Sequence, residues 1–293
     1  MSEQNQAKTN INWYPGHMAK TKRQIIDDLK LIDVVIEVLD ARIPVSSHNP
    51  DLDEVIKNKK KIVLLNKSDL ADEQENKRWV EEFKKNNTKA VIVDSNSGKG
   101  IENSIRAVKE SMQKEIERNV ARGKVNTTIR VLILGIPNVG KSSYINRATK
   151  KVSAKVGNKP GVTIQKQWIR LDKNIEMLDT PGVLWPKFQS EEIALNLAFT
   201  GTIKDDILER TEIAYSLLKY LCKDYKLNIA ERYKIENIEQ IDESQIVDLM
   251  EIIGKKRGAI VSGGKVDLEK VARIILDDFR TGKLGRITLE KVK

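Results

Sequence analysis

The stretch GIPNVGKSS, residues 135–143, follows the apolar run RVLILG and opens a segment of helical spacing from Lys141 to Thr149. A strand that delivers the chain to a glycine-bounded turn and then to a helix N-terminus is the setting that G-x-x-x-x-G-K-[ST] requires. Backbone N–H groups of Asn138, Val139, Gly140, Lys141, Ser142 and Ser143 would then converge on a phosphate, and the helix end adds partial positive charge. Lys141 supplies a point charge to the β- and γ-phosphates of a nucleotide, and the Ser142 hydroxyl is placed to ligate Mg²⁺. A strand–loop–helix unit of this kind is a piece of an α/β fold.

Upstream, the short apolar runs IDVVIEVLD (32–40), KIVLLN (61–66) and KAVIVDS (89–95) read as strands buried in a parallel sheet. Helical segments alternate with them: about Met18–Leu31, then 51–58, 71–86 and 100–123. Downstream, QKQWIRL (165–171) and IEMLDT (175–180) suggest a hairpin about Asp172 to Asn174. After LWPKFQS the strand signal stops, and helical periodicity takes over at 191–200, 209–225, 242–256 and 267–283, the last closing at Gly282. The expected organisation is a doubly wound α/β domain over 1–188 and a smaller all-helical domain over 189–293.

The chain has 293 residues, 40% of them hydrophobic and 32% charged, enough to bury a core under a well-solvated surface. No window approaches the ~18 apolar residues of a membrane span and no secretory signal opens the chain, so a cytoplasmic protein without a membrane partner is expected. A single cysteine, Cys222 on an apolar helical face, excludes a disulfide framework. Fifty-two basic against forty-two acidic residues give a net charge of +10, which favours a polyanionic partner such as RNA.

Three further motifs stand at strand ends. DTPG (179–182) follows IEMLDT, so Asp179 emerges at the carboxyl edge of the sheet where it can hold Mg²⁺, and the Gly182 N–H can bond a γ-phosphate. PGVT (160–163) offers Thr163 to complete the Mg²⁺ shell and order a switch loop; a turn threonine without a role is the alternative. NKSD, residues Asn66, Lys67, Ser68 and Asp69, follows KIVLL. A carboxylate at Asp69 accepts two hydrogen bonds, matching guanine N1–H and its exocyclic amine, a donor pair adenine lacks. Asn66 would bind the base edge or brace the loops, and Lys67 would lay its stem along the ring. In DSNSGKG, Asp94 and Ser95 would close over the base O6 with backbone N–H groups.

Together these motifs resemble the translation-factor-related GTPases, but in reversed order: NKSD and DSNSG precede GIPNVGKS, PGVT and DTPG. That order marks the circularly permuted branch. WYPGHMAK (13–20), DARIPVSSHNP (40–50) and DTPGVLWPKF (179–188) narrow the resemblance to GTPases serving late assembly of the large ribosomal subunit. It covers most of the chain and is looser in the helical tail. It implies a circularly permuted P-loop GTPase with a mostly parallel sheet, followed by a helical ribosome-binding domain. The implied partners are GTP or GDP and the large (50S) subunit with its rRNA, and a monomer is expected.

Apolar Val183 and Leu184 stand where Ras-like enzymes carry a water-orienting glutamine, so slow intrinsic hydrolysis is expected, stimulated by the ribosomal particle. The resemblance suggests that His17, in a PGHM loop, orients the water instead, and that Asn138 holds a K⁺ ion beside the phosphates. It also implies that Lys255, Lys256, Arg257, Arg273, Arg280, Lys283 and Arg286 contact RNA, although a solvated helix face is the plain alternative. The rival readings are a GTP-dependent RNA-binding scaffold that needs no hydrolysis, and a metabolic phosphate-loop kinase, against which NKSD speaks.

Overall fold

In a computed structural model the structure describes residues 16–123, 128–149, 167–180, 190–203 and 209–292, apart from the side chains of 16–22 and 167. Six strands form one sheet in the order β3-β2-β1-β4-β6-β5. They are β1 (Val34–Asp40), β2 (Lys60–Asn66), β3 (Lys89–Ile92), β4 (Ile129–Leu134), β5 (Gln167–Asp172) and β6 (Ile175–Asp179). β5 alone runs antiparallel, at the edge, as the hairpin partner of β6. Every residue of β1 is buried, as expected of a central strand covered on both faces.

The expected helices appear as α1 (Gly16–Leu29), α2 (Pro50–Ile56), α3 (Glu73–Lys85), α4 (Ile101–Ala121) and α5 (Lys141–Thr149). On one sheet face Ile25, Leu29, Leu52 and Ile56 of α1 and α2 pack on Val35, Leu132 and Leu134. On the other, Ala107, Val108, Tyr144 and Ile145 of α4 and α5 pack on Val34, Ile36, Val131 and Ile133. This is the doubly wound arrangement. Between Val35 and Leu39 on one face of β1 stands a buried carboxylate, Glu37. It is neutralised by His48, whose Nδ1 lies 2.7 Å away, and by the Lys61 ammonium, also at 2.7 Å.

Beyond β6 the elements are α6 (Glu191–Phe199), α7 (Arg210–Asp224), α8 (Lys226–Tyr233), α9 (Ile246–Lys256) and α10 (Leu268–Arg280), with two short 3₁₀ turns before α9. α8 escapes the periodicity because the chain breaks at Tyr225 (φ −132, ψ 30), immediately after α7, and restarts with only Ile229 and Tyr233 buried. Cys222 is buried in this helical core. α10 ends as expected, with Gly282 at φ 76 donating to the Phe279 carbonyl. No helix among the described residues is long and apolar enough to cross a membrane.

The chain then turns back across the α/β part. Residues 284–292 form a strap whose Ile287 N–H donates to the Leu70 carbonyl and whose Leu289 N–H donates to that of Arg42, each at 2.9 Å. Glu290 accepts from the Val45 and Ser46 amides at 2.6 and 3.0 Å and from the Asn196 amide of α6 at 3.1 Å. Trp79 of α3 donates to the Glu290 carbonyl at 2.8 Å.

Candidate nucleotide site

The reversed motif order is resolved along one seam. β1 pairs in parallel with β2 on one side and with β4 on the other, Val34 opposite both Lys60 and Val131. The carboxyl ends of β1, β2, β3, β4 and β6 therefore share one edge of the sheet, where ligands bind in doubly wound folds. NKSD leaves β2 there, DSNSG follows β3, GIPNVGKS leaves β4 and Asp179 ends β6.

Asn66 joins the two halves. Its Nδ2 donates to the Val139 carbonyl at 2.7 Å, while its Oδ1 accepts from the Ser95 amide at 3.1 Å and the Ser95 hydroxyl at 2.7 Å. Of the two roles open to it from sequence, the brace is the one the geometry displays. Lys67 takes the left-handed conformation at φ 58, and Leu70 N–H closes the turn on the Lys67 carbonyl. Ser68 is buried, its N–H on the Val93 carbonyl, whereas Asp69 is exposed at the tip. Although the residue is exposed, partial desolvation of its carboxyl by the surrounding loops, and then the Asp94 carboxylate beside it, push the Asp69 carboxyl above its ordinary range.

Behind Lys67 lies a buried charge cluster. The Lys67 ammonium sits 3.0 Å from Asp40, and Arg42 grips the same carboxylate through Nε at 3.0 Å and Nη2 at 2.8 Å. Arg42 in turn lies over the Phe279 ring of α10 at 5.1 Å. Burial would raise the Asp40 carboxyl, but Arg42 and Lys67 outweigh it and hold the group well below the usual range. Asp40 and Arg42 open the DARIP segment, whose partners in space a strand-and-motif reading does not supply.

On the phosphate side, the Lys141 ammonium donates to the Gly135 and Ile136 carbonyls at 2.9 and 3.0 Å. Burial lowers its pKa to about 8, against the pull of Asp179. Asp179 is itself buried, its carboxyl raised by that burial, and its Oδ1 has no hydrogen-bond partner among the described residues. An orphaned buried carboxylate oxygen near a lysine fits a site built to receive a cation. Ser142 and Ser143 are half-buried at the start of α5. Asn138 adopts φ 62 and donates through Nδ2 to the Gly201 carbonyl at 2.8 Å, which ties the phosphate loop to the end of α6.

Gly140 is at φ 97, and a Cβ there would meet Asn66 Nδ2 at 2.3 Å. Gly140→Ala therefore combines backbone strain of about 1–3 kcal/mol with loss of the Asn66 brace. GDP titration calorimetry should show at least a tenfold loss of affinity, corresponding to about 1.4 kcal/mol.

Thr163 and Gly182 lie outside the described residues, as does Pro15. His17 does not stand in a free loop, as its PG context suggested: α1 begins at Gly16 and places His17 in its first turn, its side chain outside the description.

The cations expected to face RNA divide. Arg280 donates to the Ala198 and Phe199 carbonyls at 2.7 and 3.0 Å, and Arg286 to the Ala71 and Ser68 carbonyls at 2.7 and 3.0 Å. Both guanidiniums are staples within the chain, each bonded to two backbone carbonyls at a helix or turn end. Arg257 lies over the Tyr233 ring at 5.2 Å and donates to the Arg232 carbonyl. Lys256 caps the Lys234 carbonyl, and Lys255 and Lys283 lie near Glu251 and Asp278. Arg273 is exposed on α10.

Residues 130–255 match a family model described as 50S ribosome-binding GTPase. The Bacillus cereus protein named ribosome biogenesis GTPase A is 46% identical over 280 residues, spanning 96% of this chain and 93% of its own. The chain belongs to the ribosome biogenesis GTPase A family. Its Bacillus licheniformis member is 44% identical over 281 residues, 96% of this chain and 98% of that one. A GNP-bound YlqF structure from T. maritima superposes with a TM-score of 0.63 at 29% identity, covering 93% of this chain and 98% of that one. The protein is thus a GTPase of ribosome biogenesis, a circularly permuted P-loop GTPase with a mostly parallel sheet.

Proposed function

We propose that the chain hydrolyses GTP as a step in late assembly of the large (50S) ribosomal subunit. On this reading it docks in the triphosphate state and leaves after turnover. The supporting observation is the Asn66 brace, whose amide bonds Val139 on the phosphate loop and Ser95 on the base-closing loop. Guanine selection and phosphate binding then belong to one pocket.

In this reading Asp69 takes guanine N1–H and the amine, Lys67 lies along the ring, and Asp94 and Ser95 close over O6. Ser142, Thr163 and Asp179 hold Mg²⁺, which neutralises charge on the β- and γ-phosphate oxygens. Asn138 keeps its amide nitrogen on Gly201 and offers Oδ1 to K⁺. The Lys141 ammonium meets the same phosphate charge. His17 orients the attacking water once the ribosomal surface orders its surroundings, so intrinsic turnover is slow and the particle stimulates it. The GTPase domain ends near residue 188, and a helical domain from 189 meets rRNA through Lys255, Lys256, Arg273 and Lys283 rather than the two stapled arginines. The protein acts as a monomer in the cytoplasm.

The test is GTP turnover with and without purified large subunits, for the wild type and His17→Ala. The particle should accelerate the wild type by at least about 10²-fold, and His17→Ala should lose that acceleration while binding GTP normally. Replacing K⁺ by Na⁺ should slow turnover. Particles that leave the wild-type rate unchanged would refute the proposal.

A further inference from the structure

The strap of residues 284–292 touches the guanine-reading loop from behind. Arg286 Nε donates to the Ala71 carbonyl at 2.7 Å and Nη2 to the Ser68 carbonyl at 3.0 Å, while Ile287 N–H donates to the Leu70 carbonyl at 2.9 Å. The Asp72 amide donates to the Thr288 hydroxyl at 3.0 Å. Residues 68, 70, 71 and 72 are thus all fastened to the strap, and the unfastened one between them is Asp69.

We propose that the strap, through Arg286, is a positioning element for guanine selection, a role that rests on the reading of Asp69 above. A carboxylate that must accept two parallel hydrogen bonds from one base edge needs its backbone held to a fraction of an ångström. The turn itself supplies little of this, since Asp69 is exposed and its neighbour Lys67 sits in a left-handed conformation that a lysine rarely adopts. A planar guanidinium reaching two carbonyls at once is the rigid fork suited to that task, and a lysine is not. Among the described residues the strap forms no hydrogen bond with residues 135–143, so its influence falls on the base and not on the phosphates.

The experiment compares Arg286→Ala, Arg286→Lys and Asp69→Ala with the wild type in two titrations, one with GDP and one with inorganic tripolyphosphate, which has no base. Arg286→Ala should weaken GDP about tenfold and leave tripolyphosphate within about twofold, with Arg286→Lys in between. A matched fall in both ligands, or no change in either, would overturn the proposal. Thr288→Val, which removes a single bond to the loop, should repeat the pattern on a smaller scale and serves if Arg286→Ala does not fold. Asp69→Ala separates the two levels. Should it leave GDP binding intact, the reading of the loop itself fails; should it abolish GDP binding while Arg286→Ala does nothing, the strap alone is refuted.

Discussion

Asp69→Asn is expected to exchange guanosine for xanthosine preference. The carboxylate accepts from guanine N1–H and the 2-amine; an asparagine there turns an amide N–H₂ toward the amine and retains one acceptor. Each hydrogen bond to a charged group is worth about 1.5–3 kcal/mol, so losing one and opposing donor to donor should weaken GDP binding by about 10²-fold or more. Xanthine carries a carbonyl at that position, which the new amide satisfies, so XDP affinity should rise. Competition titrations with the two diphosphates check this, and an unchanged preference would show that the loop does not read the base. The pH dependence follows from the same group. Partial desolvation and Asp94 raise the Asp69 carboxyl, so it takes up a proton at a higher pH than an ordinary aspartate. Wild-type selectivity for guanine should therefore decline on acidification at a higher pH than an ordinary aspartate would give, and the Asn variant should not share that decline.

The second large effect concerns stability. Asp40 is 1% exposed and accepts from Arg42, itself 1% exposed, while the Lys67 ammonium closes the cluster at 3.0 Å. Asp40→Asn leaves that buried guanidinium uncompensated, a change that typically costs about 3–5 kcal/mol. The urea midpoint should fall accordingly, and GDP affinity should fall with it because Lys67 loses its anchor. In the wild type the folded carboxyl is held below its ordinary range whereas the unfolded one titrates near about 3.9. Its contribution is present at neutral pH and is lost as pH drops below the unfolded value toward the folded one. An Asn variant with an unchanged midpoint would mean that the cluster is dispensable.

The elements legible in sequence were those whose burial writes a period: β1 is apolar along almost its whole length, and α10 repeats Val271, Ile275 and Phe279 on one side. The phosphate loop and NKSD were legible because each packs its chemistry into a few consecutive residues. α8 was not, since two buried positions after a chain break carry no period. Nor were the partners of Arg280 and Arg286. A basic residue in a helical tail looks solvated until the fold returns it to a carbonyl, and Arg286 Nε meets Ala71 at a separation of 215 residues. Composition treats such a side chain as free charge, and only tertiary structure reveals that it is spent on backbone carbonyls of its own chain.

The seam between β1 and β4 also bears on how the chain is made. During synthesis β1, β2 and β3 emerge well before β4, so the future centre of the sheet begins life as its border. Val34, Val35, Ile36 and Val38, with Glu37 among them, would then present an open, largely apolar ladder, the kind of edge that invites pairing with another nascent chain. Reversing the motif order leaves the finished pocket intact and moves the hazard to biosynthesis, when α4 and the linker to β4 are still leaving the ribosome.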